Sequence, residues 1–306
     1  MKGIAFMTQK IDIHVHCALT KQPTLGGNPY DPGSHYICTA QEMLESMTAH
    51  HIHTAIIMSC GETMEGAANA FGADNTACQA MHQAHPERLQ WMCNFDPVHP
   101  ETLFQRMADC KAHGAVGVGE VMVNQWIDSP FLQALFHTAA QLNMPVLSHM
   151  SPEPGFGYGV CDHPGLPLLE RTLTENPNLV ILGHSQVFWL EISGDCPKED
   201  AATRSGYGHG PVTPGGTVPR LLERYPNLYG DLSAYSAYCA ITRDEPFGLA
   251  FLERWQDRLL FATDATNHRN IPPLADFLDH AVENGKLSQT AYQKICCDNA
   301  RKLFQI

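Results

Sequence analysis

The sequence contains few positively charged residues. Nineteen Lys and Arg residues stand against 32 Asp and Glu residues, which gives a formal net charge of −13 over 306 residues. A nucleic-acid backbone is therefore not expected as a partner, because phosphate binding relies on clustered positive charge. Long apolar runs are lacking as well. Since no stretch of about 18 uninterrupted apolar residues occurs, no membrane span is expected.

Signals for export and for disulfide pairing are also missing. The eleven Cys residues include no Cys-x-x-Cys pair, and the first ten residues contain neither a long hydrophobic segment nor a cleavage site. These features predict reduced thiols in a cytoplasmic protein. A hydrophobic fraction of 44% with 17% charged residues is typical of a well-buried globular chain.

The fold is indicated by the order of the predicted elements. Eight apolar stretches of strand length alternate with amphipathic helical stretches, and no linker divides them. This rhythm predicts an α/β fold, a single (β/α)8 TIM barrel over residues 1–306. The predicted strands are 11–16, 53–59, 89–95, 114–123, 145–149, 179–184, 228–232 and 258–264. Passage 22–34, rich in Gly, Pro and Asn, is predicted to be a loop near the active site.

Potential metal ligands lie at the ends of these strands. In the first strand, a period of two places Asp12, His14 and His16 on one face. The later candidates are Glu120 in the fourth strand, His149 and His184 ending the fifth and sixth, and Asp264 ending the eighth. In a TIM barrel these strand ends share one face, so the side chains are expected to converge there. Nitrogen and oxygen ligands without thiolate favour zinc, with manganese or iron as alternatives.

Six ligands exceed the four that one tetrahedral ion uses. Two divalent ions bridged by Glu120 are favoured, although one ion with Glu120 and His184 left for proton transfer also fits. Asp264 and His184 are the predicted catalytic residues. Asp264 would orient the attacking water and carry its proton to the leaving group. His184 would either hold the second ion or act as an acid or base.

Substrate contacts are expected from the loops that follow the strands. The polar and aromatic candidates there are Trp189, Glu191, Tyr207, His209, Arg220, Tyr235 and Arg243. Either arginine could clamp a substrate carboxylate through two parallel hydrogen bonds, or form an ordinary ion pair instead. Tyr207 and the aromatic residues of segment 155–159 could instead pack within their own loops. The expected partner is a small-molecule substrate.

These motifs resemble those of the amidohydrolase superfamily, specifically its amidohydrolase-related branch. The Asp-x-His-x-His motif, the strand-end histidines and the Thr-Asp of the eighth strand are similar to that branch, as are segments 182–191, 226–233 and 298–304. The resemblance implies that His14 and His16 hold the first metal, and that His149, His184 and Asp264 occupy the later ligand positions. It also suggests, by analogy alone, a homodimer.

One position departs from the family pattern. Binuclear members often bridge their ions with a carboxylated lysine from the fourth strand, whereas this strand offers Glu120, as in the metal-dependent deoxyribonucleases of the superfamily. The function expected is a metal-dependent hydrolase of a small amide, lactone or ester. The alternative is a non-oxidative decarboxylase of an aromatic or enamine carboxylic acid, whose single-ion site needs no such bridge. A metal-binding barrel without catalysis is a third reading.

Overall fold

Eight parallel strands form a barrel in the computed structural model, which describes residues 9–24, 28, 30–62 and 72–306. The strands are β1 (Lys10–Val15), β2 (Ile52–Met58), β3 (Leu89–Cys93), β4 (Ala115–Val121), β5 (Val146–Ser151), β6 (Ile181–His184), β7 (Leu228–Asp231) and β8 (Leu259–Leu260). Neighbours pair in sequence order. The barrel closes where Ile13 donates its backbone N–H to the Phe261 carbonyl, at 3.2 Å. The predicted TIM barrel is confirmed.

Helices separate the strands and form the outer layer. They are α1 (Ala40–Ala49), α2 (Asn75–Ala84), α3 (Leu103–Ala112), α4 (Pro130–Gln141), α5 (Pro167–Glu175), α6 (Gln186–Leu190), α7 (Ala201–Arg204), α8 (Thr217–Arg224), α9 (Ala234–Thr242), α10 (Glu245–Arg254), α11 (Leu274–Glu283), α12 (Gln289–Gln293) and α13 (Asn299–Phe304). Thr39 and Glu42 form a capping box at the start of α1, which satisfies two backbone N–H groups there. None of the helices among the described residues has the length and apolarity needed to cross a membrane.

Two apolar cores position the candidate site. One fills the barrel and includes Ile13, Ile56, Leu147 and Leu182. The other lies between the strands and the helices, where Trp91 is buried. Because apolar side chains fill the barrel, polar side chains at the carboxyl ends of the strands are held at one mouth.

Two strands differ from their predicted form. In β1 the pairing with β2 shifts register between Lys10 and Ile11 and again between Asp12 and Val15. Asp12 does not join the imidazoles, because its carboxylate accepts hydrogen bonds from the backbone N–H of His14 and of Thr263. Strand β8 is shorter than predicted, since Phe261 donates its backbone N–H to Ile295 near the C-terminus. Within loop 22–34, residues 25–27 and 29 lie outside the described part of the chain, while Gln22–Pro23 pairs with Tyr36–Ile37.

Candidate metal centre

All six predicted ligands lie together at the mouth of the barrel. His14, Glu120 and His184 are buried, while the Asp264 side chain is 28% exposed and faces the pocket. The six come from β1, β4, β5, β6 and the segment after β8. Three overlapping groups of their donor atoms lie close enough to hold an ion: His14, His16 and Glu120; His14, His184 and Asp264; and Glu120, His149 and His184.

The first donor set has the spacing of a tetrahedral site. The Nε2 atoms of His14 and His16 are 3.1 Å apart. Asp264 Oδ1 lies 3.5 Å from His14 Nε2 and 3.2 Å from His16 Nε2. Glu120 Oε2 lies 3.7 and 3.4 Å from the same two atoms. Ligands at ordinary zinc distances stand about 3.3–3.4 Å apart on a tetrahedron, so each of these separations is compatible with binding to one divalent ion.

The second oxygen of Glu120 faces a different pair of imidazoles. Its Oε1 atom lies 2.6 Å from His149 Nδ1 and 3.5 Å from His184 Nε2. The shorter separation is that of a hydrogen bond. Glu120, His149 and His184, the second donor set, therefore leave less space for an ion than the first donor set does. Glu120 therefore contacts both groups of histidines, one with each carboxylate oxygen.

Two further polar residues, absent from the sequence-based predictions, hold the histidines from behind. Asp231, the last residue of β7, accepts a hydrogen bond at 2.7 Å from His14 Nδ1. Ser233 donates to Asp231 at 2.9 Å and lies 2.8 Å from His184 Nδ1. This network places the proton of both rings on Nδ1 and leaves both Nε2 lone pairs for an ion.

The carboxylates make this cluster strongly attractive to positive charge. Burial acts to raise the pKa of Glu120, but the charge of His149 and hydrogen bonds from the histidines hold it well below its usual range. Burial acts to lower the pKa of His14, yet Asp264 and Asp231 raise it to about 10. Positive charge is thus favoured between the imidazoles, whether it comes from a proton or from a metal ion.

The backbone at three consecutive strand ends is left-handed although none of the residues is glycine. Ser185, Ala234 and Asp264 have φ values of 88°, 59° and 57°. Such conformations cost of order 1 kcal/mol or more and persist where the surrounding structure imposes them. They follow His184, Ser233 and Thr263 directly, so three of the eight non-glycine residues with positive φ in the described part of the chain lie at the candidate site.

A pocket of about 630 Å³ opens above the ligands. His16, Glu120, His149, His184 and Asp264 lie on its surface. Its lining comes from the segments that follow β1, β2, β4, β5, β6, β7 and β8, and it includes four aromatic side chains: Phe156, Tyr158, Tyr207 and Tyr235. The Tyr158 ring lies against His149 with centroids 4.4 Å apart, so it does not pack only within its own loop.

Most other predicted substrate contacts are placed elsewhere. Trp189 is buried and donates its indole N–H to the Asp231 carbonyl. Arg220 pairs with Glu170 on the surface. His209 is exposed, and its carbonyl accepts a hydrogen bond from Arg243. These three side chains do not line the pocket, because the loops that carry them turn them toward other partners.

Glu191 and Arg243 also lie outside the pocket. Glu191 is buried and accepts hydrogen bonds at 2.6 Å from the Gly165 backbone N–H and from the Thr217 hydroxyl. Arg243 borders a separate cavity of about 10 Å³, beside Tyr207 and Trp189. Tyr207 and Tyr235 are thus the candidates that the structure places on the pocket wall.

Glu191→Ala should lower the free energy of unfolding by about 1–3 kcal/mol, because two donors lose their acceptor. Metal content should not change. Urea unfolding and elemental analysis measure the two effects. Arg220→Ala, which removes an exposed ion pair, is the control and should change stability by less than about 1 kcal/mol. A stable Glu191→Ala protein with weakened substrate binding would contradict the structural role.

Comparisons with known proteins agree with this architecture. A 2,6-dihydroxybenzoate decarboxylase from Rhizobium has a similar structure, with a TM-score of 0.61 and 17% identity over 98% of this chain and 99% of that one. A protein from Agrobacterium tumefaciens gives a TM-score of 0.60 at 17% identity over 99% and 98%. A probable 2-pyrone-4,6-dicarboxylic acid hydrolase from Acinetobacter baumannii gives 0.57 at 14% identity over 97% and 100%.

At these identities the structural neighbours show the fold and not the reaction. No curated protein sequence matches the chain. The sequence does match an amidohydrolase family over residues 11–306, which includes every ligand candidate described above. The chain therefore belongs to the amidohydrolase family.

Proposed function

We propose that this protein is a metal-dependent hydrolase that acts on a small-molecule amide, lactone or ester. The position of Glu120 carries the proposal, because one of its oxygens faces His14 and His16 while the other faces His149 and His184. A carboxylate in that position can bridge two divalent ions, and paired ions are common in enzymes that activate water. Zinc suits the nitrogen and oxygen donors, with manganese or iron as alternatives.

His14, His16, Glu120 and Asp264 would hold the first ion, and His149 and His184 would complete the second set with Glu120. When bound, divalent ions supply Lewis acidity that lowers the pKa of water and polarises a carbonyl oxygen. The family and the donor spacing support this assignment.

Asp264 is the carboxylate placed to move a proton. Its side chain is 28% exposed on the pocket surface, whereas that of Glu120 is 4% exposed. In the proposed reaction, a water oxygen attacks the substrate carbonyl carbon and Asp264 accepts the water proton. The proton then passes to the leaving oxygen or nitrogen as its bond to carbon breaks. His184, fixed by Ser233, keeps its Nε2 atom directed at Glu120 and Asp264.

Decarboxylation of an aromatic or enamine carboxylic acid is the second candidate. It is favoured by the 2.6 Å hydrogen bond between His149 and Glu120. Because these two side chains contact each other, they leave less space for a second ion between them. A single ion in the first set would leave His184 available as an acid or base. Structural neighbours of both reaction types share this fold.

Metal content per chain separates these proposals. Protein purified without added metal or chelator should carry close to two divalent ions, and Glu120→Gln should carry one or none, because the bridging carboxylate is lost. Elemental analysis measures this directly. Glu153→Gln, which changes an exposed glutamate in the loop after β5, is the matched control and should keep the wild-type content.

The reaction itself is tested by product analysis. Turnover in ¹⁸O-labelled water should place one label in the acid released from an ester, lactone or amide. One ion per chain, unchanged in Glu120→Gln, together with release of carbon dioxide from aromatic acids, would contradict the hydrolase proposal and favour decarboxylation.

A further inference from the structure

The pocket wall carries no basic side chain among the residues that the structure describes. Its lining contains histidines and carboxylates at the base, and Ser, Thr, Gln, Asn, Met and aromatic residues above them, but no Lys or Arg. Among these described residues, a bound anion would therefore lack a cationic side-chain partner on the wall.

Arg204, Arg243 and Arg269 are engaged with other partners. Arg204 is buried and donates to the backbone carbonyls of Pro152 and Asp162. Arg269 forms an ion pair with Asp31. Arg243 donates to the His209 carbonyl and borders the separate small cavity. Among the lining residues that are described, side chains able to carry positive charge thus lie only at the base of the pocket, with the imidazoles.

The wall instead offers aromatic faces and neutral donors. Tyr158, Tyr207 and Tyr235 come from three separate segments, Tyr235 from the first turn of α9, and Tyr30, which is 81% exposed, extends this surface outward through a ring contact of 5.8 Å with Tyr235. Their phenolic hydroxyls are uncharged at neutral pH, so they add neutral hydrogen-bonding groups to the wall. Aromatic walls with a few polar groups favour flat ligands that bury their rings.

We infer that the substrate is a ring compound whose part remote from the metal centre is uncharged, and that the wall formed by Tyr158, Tyr207 and Tyr235 selects it. A carboxylate or sulfonate on the remote part would lose its hydration without gaining a counter-charge on the described wall. This inference rests on the proposed function, in which the group that reacts at the metal centre is a carbonyl.

A matched pair of ligands tests whether the pocket prefers a substrate whose remote part is uncharged, a preference that we call the charge rule. The probes are para-acetamidobenzenesulfonate and its neutral para-methylsulfonyl analogue, which have similar size and share the acetamide. Calorimetric titration of the metal-loaded protein should show that the neutral compound binds about tenfold tighter or more. Equal or tighter binding of the sulfonate, or no measurable binding of the neutral compound, would overturn the inference.

Substitutions on the pocket wall test whether its side chains cause the preference for the neutral ligand. Gln186→Lys places a cation on the wall and should narrow the difference between the two ligands, whereas Gln186→Met, of similar length but uncharged, should not. Tyr207→Leu and Tyr158→Leu should each weaken binding of the neutral aromatic compound by about twofold to tenfold, but leave N-cyclohexylacetamide unaffected. Unchanged ligand preference in all of these variants would show that the wall does not select the substrate.

Failure of this inference is distinguishable from failure of the proposed function. If the neutral ligand binds selectively but no ester, lactone or amide is ever cleaved, the hydrolase proposal fails and the charge rule stands. If the sulfonate is cleaved as efficiently as its neutral analogue, the charge rule fails and the hydrolase proposal stands.

Discussion

Asp264→Asn should reduce kcat by about 10²–10⁴-fold while changing KM little, because the amide has a similar shape but cannot accept the proton of the attacking water. The wild-type carboxylate lies 3.2 Å from His16 Nε2 and 3.5 Å from His14 Nε2, next to the expected position of the first ion. Steady-state kinetics on the best ester, lactone or amide found by screening measures the effect.

The loss must be separated from loss of metal. The assay therefore contains excess zinc, and elemental analysis confirms the occupancy of the variant. Asp257→Asn is the control, because this aspartate is exposed and paired with Lys294 away from the pocket. An Asp264→Asn protein that carries its full metal and retains kcat within tenfold of wild type would show that Asp264 serves only as a ligand.

The six ligand candidates could be predicted because the topology of the barrel brings their side chains together. Each lies at or near a strand end, and parallel strands in a barrel bring those ends to one mouth whatever their separation in sequence. Asp231 carries the same signal, since it ends β7, so the position of a carboxylate at that strand end was also open to prediction. Ser233 had no such signal, because a serine after a strand is common in loops.

The pocket wall was harder to predict because loop side chains take their direction from tertiary contacts. Glu191 and Trp189 are close in sequence to His184, yet both turn inward, one to Gly165 and Thr217 and the other to the β7 backbone. Tyr158 does the opposite: its ring lies against His149, on the strand that precedes its own loop, and lines the pocket. The left-handed backbone at Ala234 and Asp264 was equally hidden, since neither residue is glycine.

Asp231→Asn should weaken zinc binding by about 10- to 100-fold, although Asp231 is not itself a predicted ligand. Its carboxylate accepts the Nδ1 proton of His14 at 2.7 Å, and Ser233 extends the same network to His184. The neutral amide removes the negative charge that makes Nε2 of His14 a stronger electron-pair donor to a metal ion. It also allows the ring to rotate or to change tautomer. Competition with a chromophoric chelator measures the zinc affinity without any assay of activity.

Ser233→Ala gives the internal comparison for this effect. It removes the hydroxyl that links Asp231 to His184 but keeps the 2.7 Å contact with His14, so zinc at the first donor set should be retained better than in Asp231→Asn. Buried Asp231 is also held ionised: burial acts to raise its pKa, but His14 and His184 lower it below its ordinary value. Removing that charge should therefore cost more than removing a neutral hydroxyl. Wild-type zinc affinity in Asp231→Asn would mean that the barrel positions His14 without help from β7.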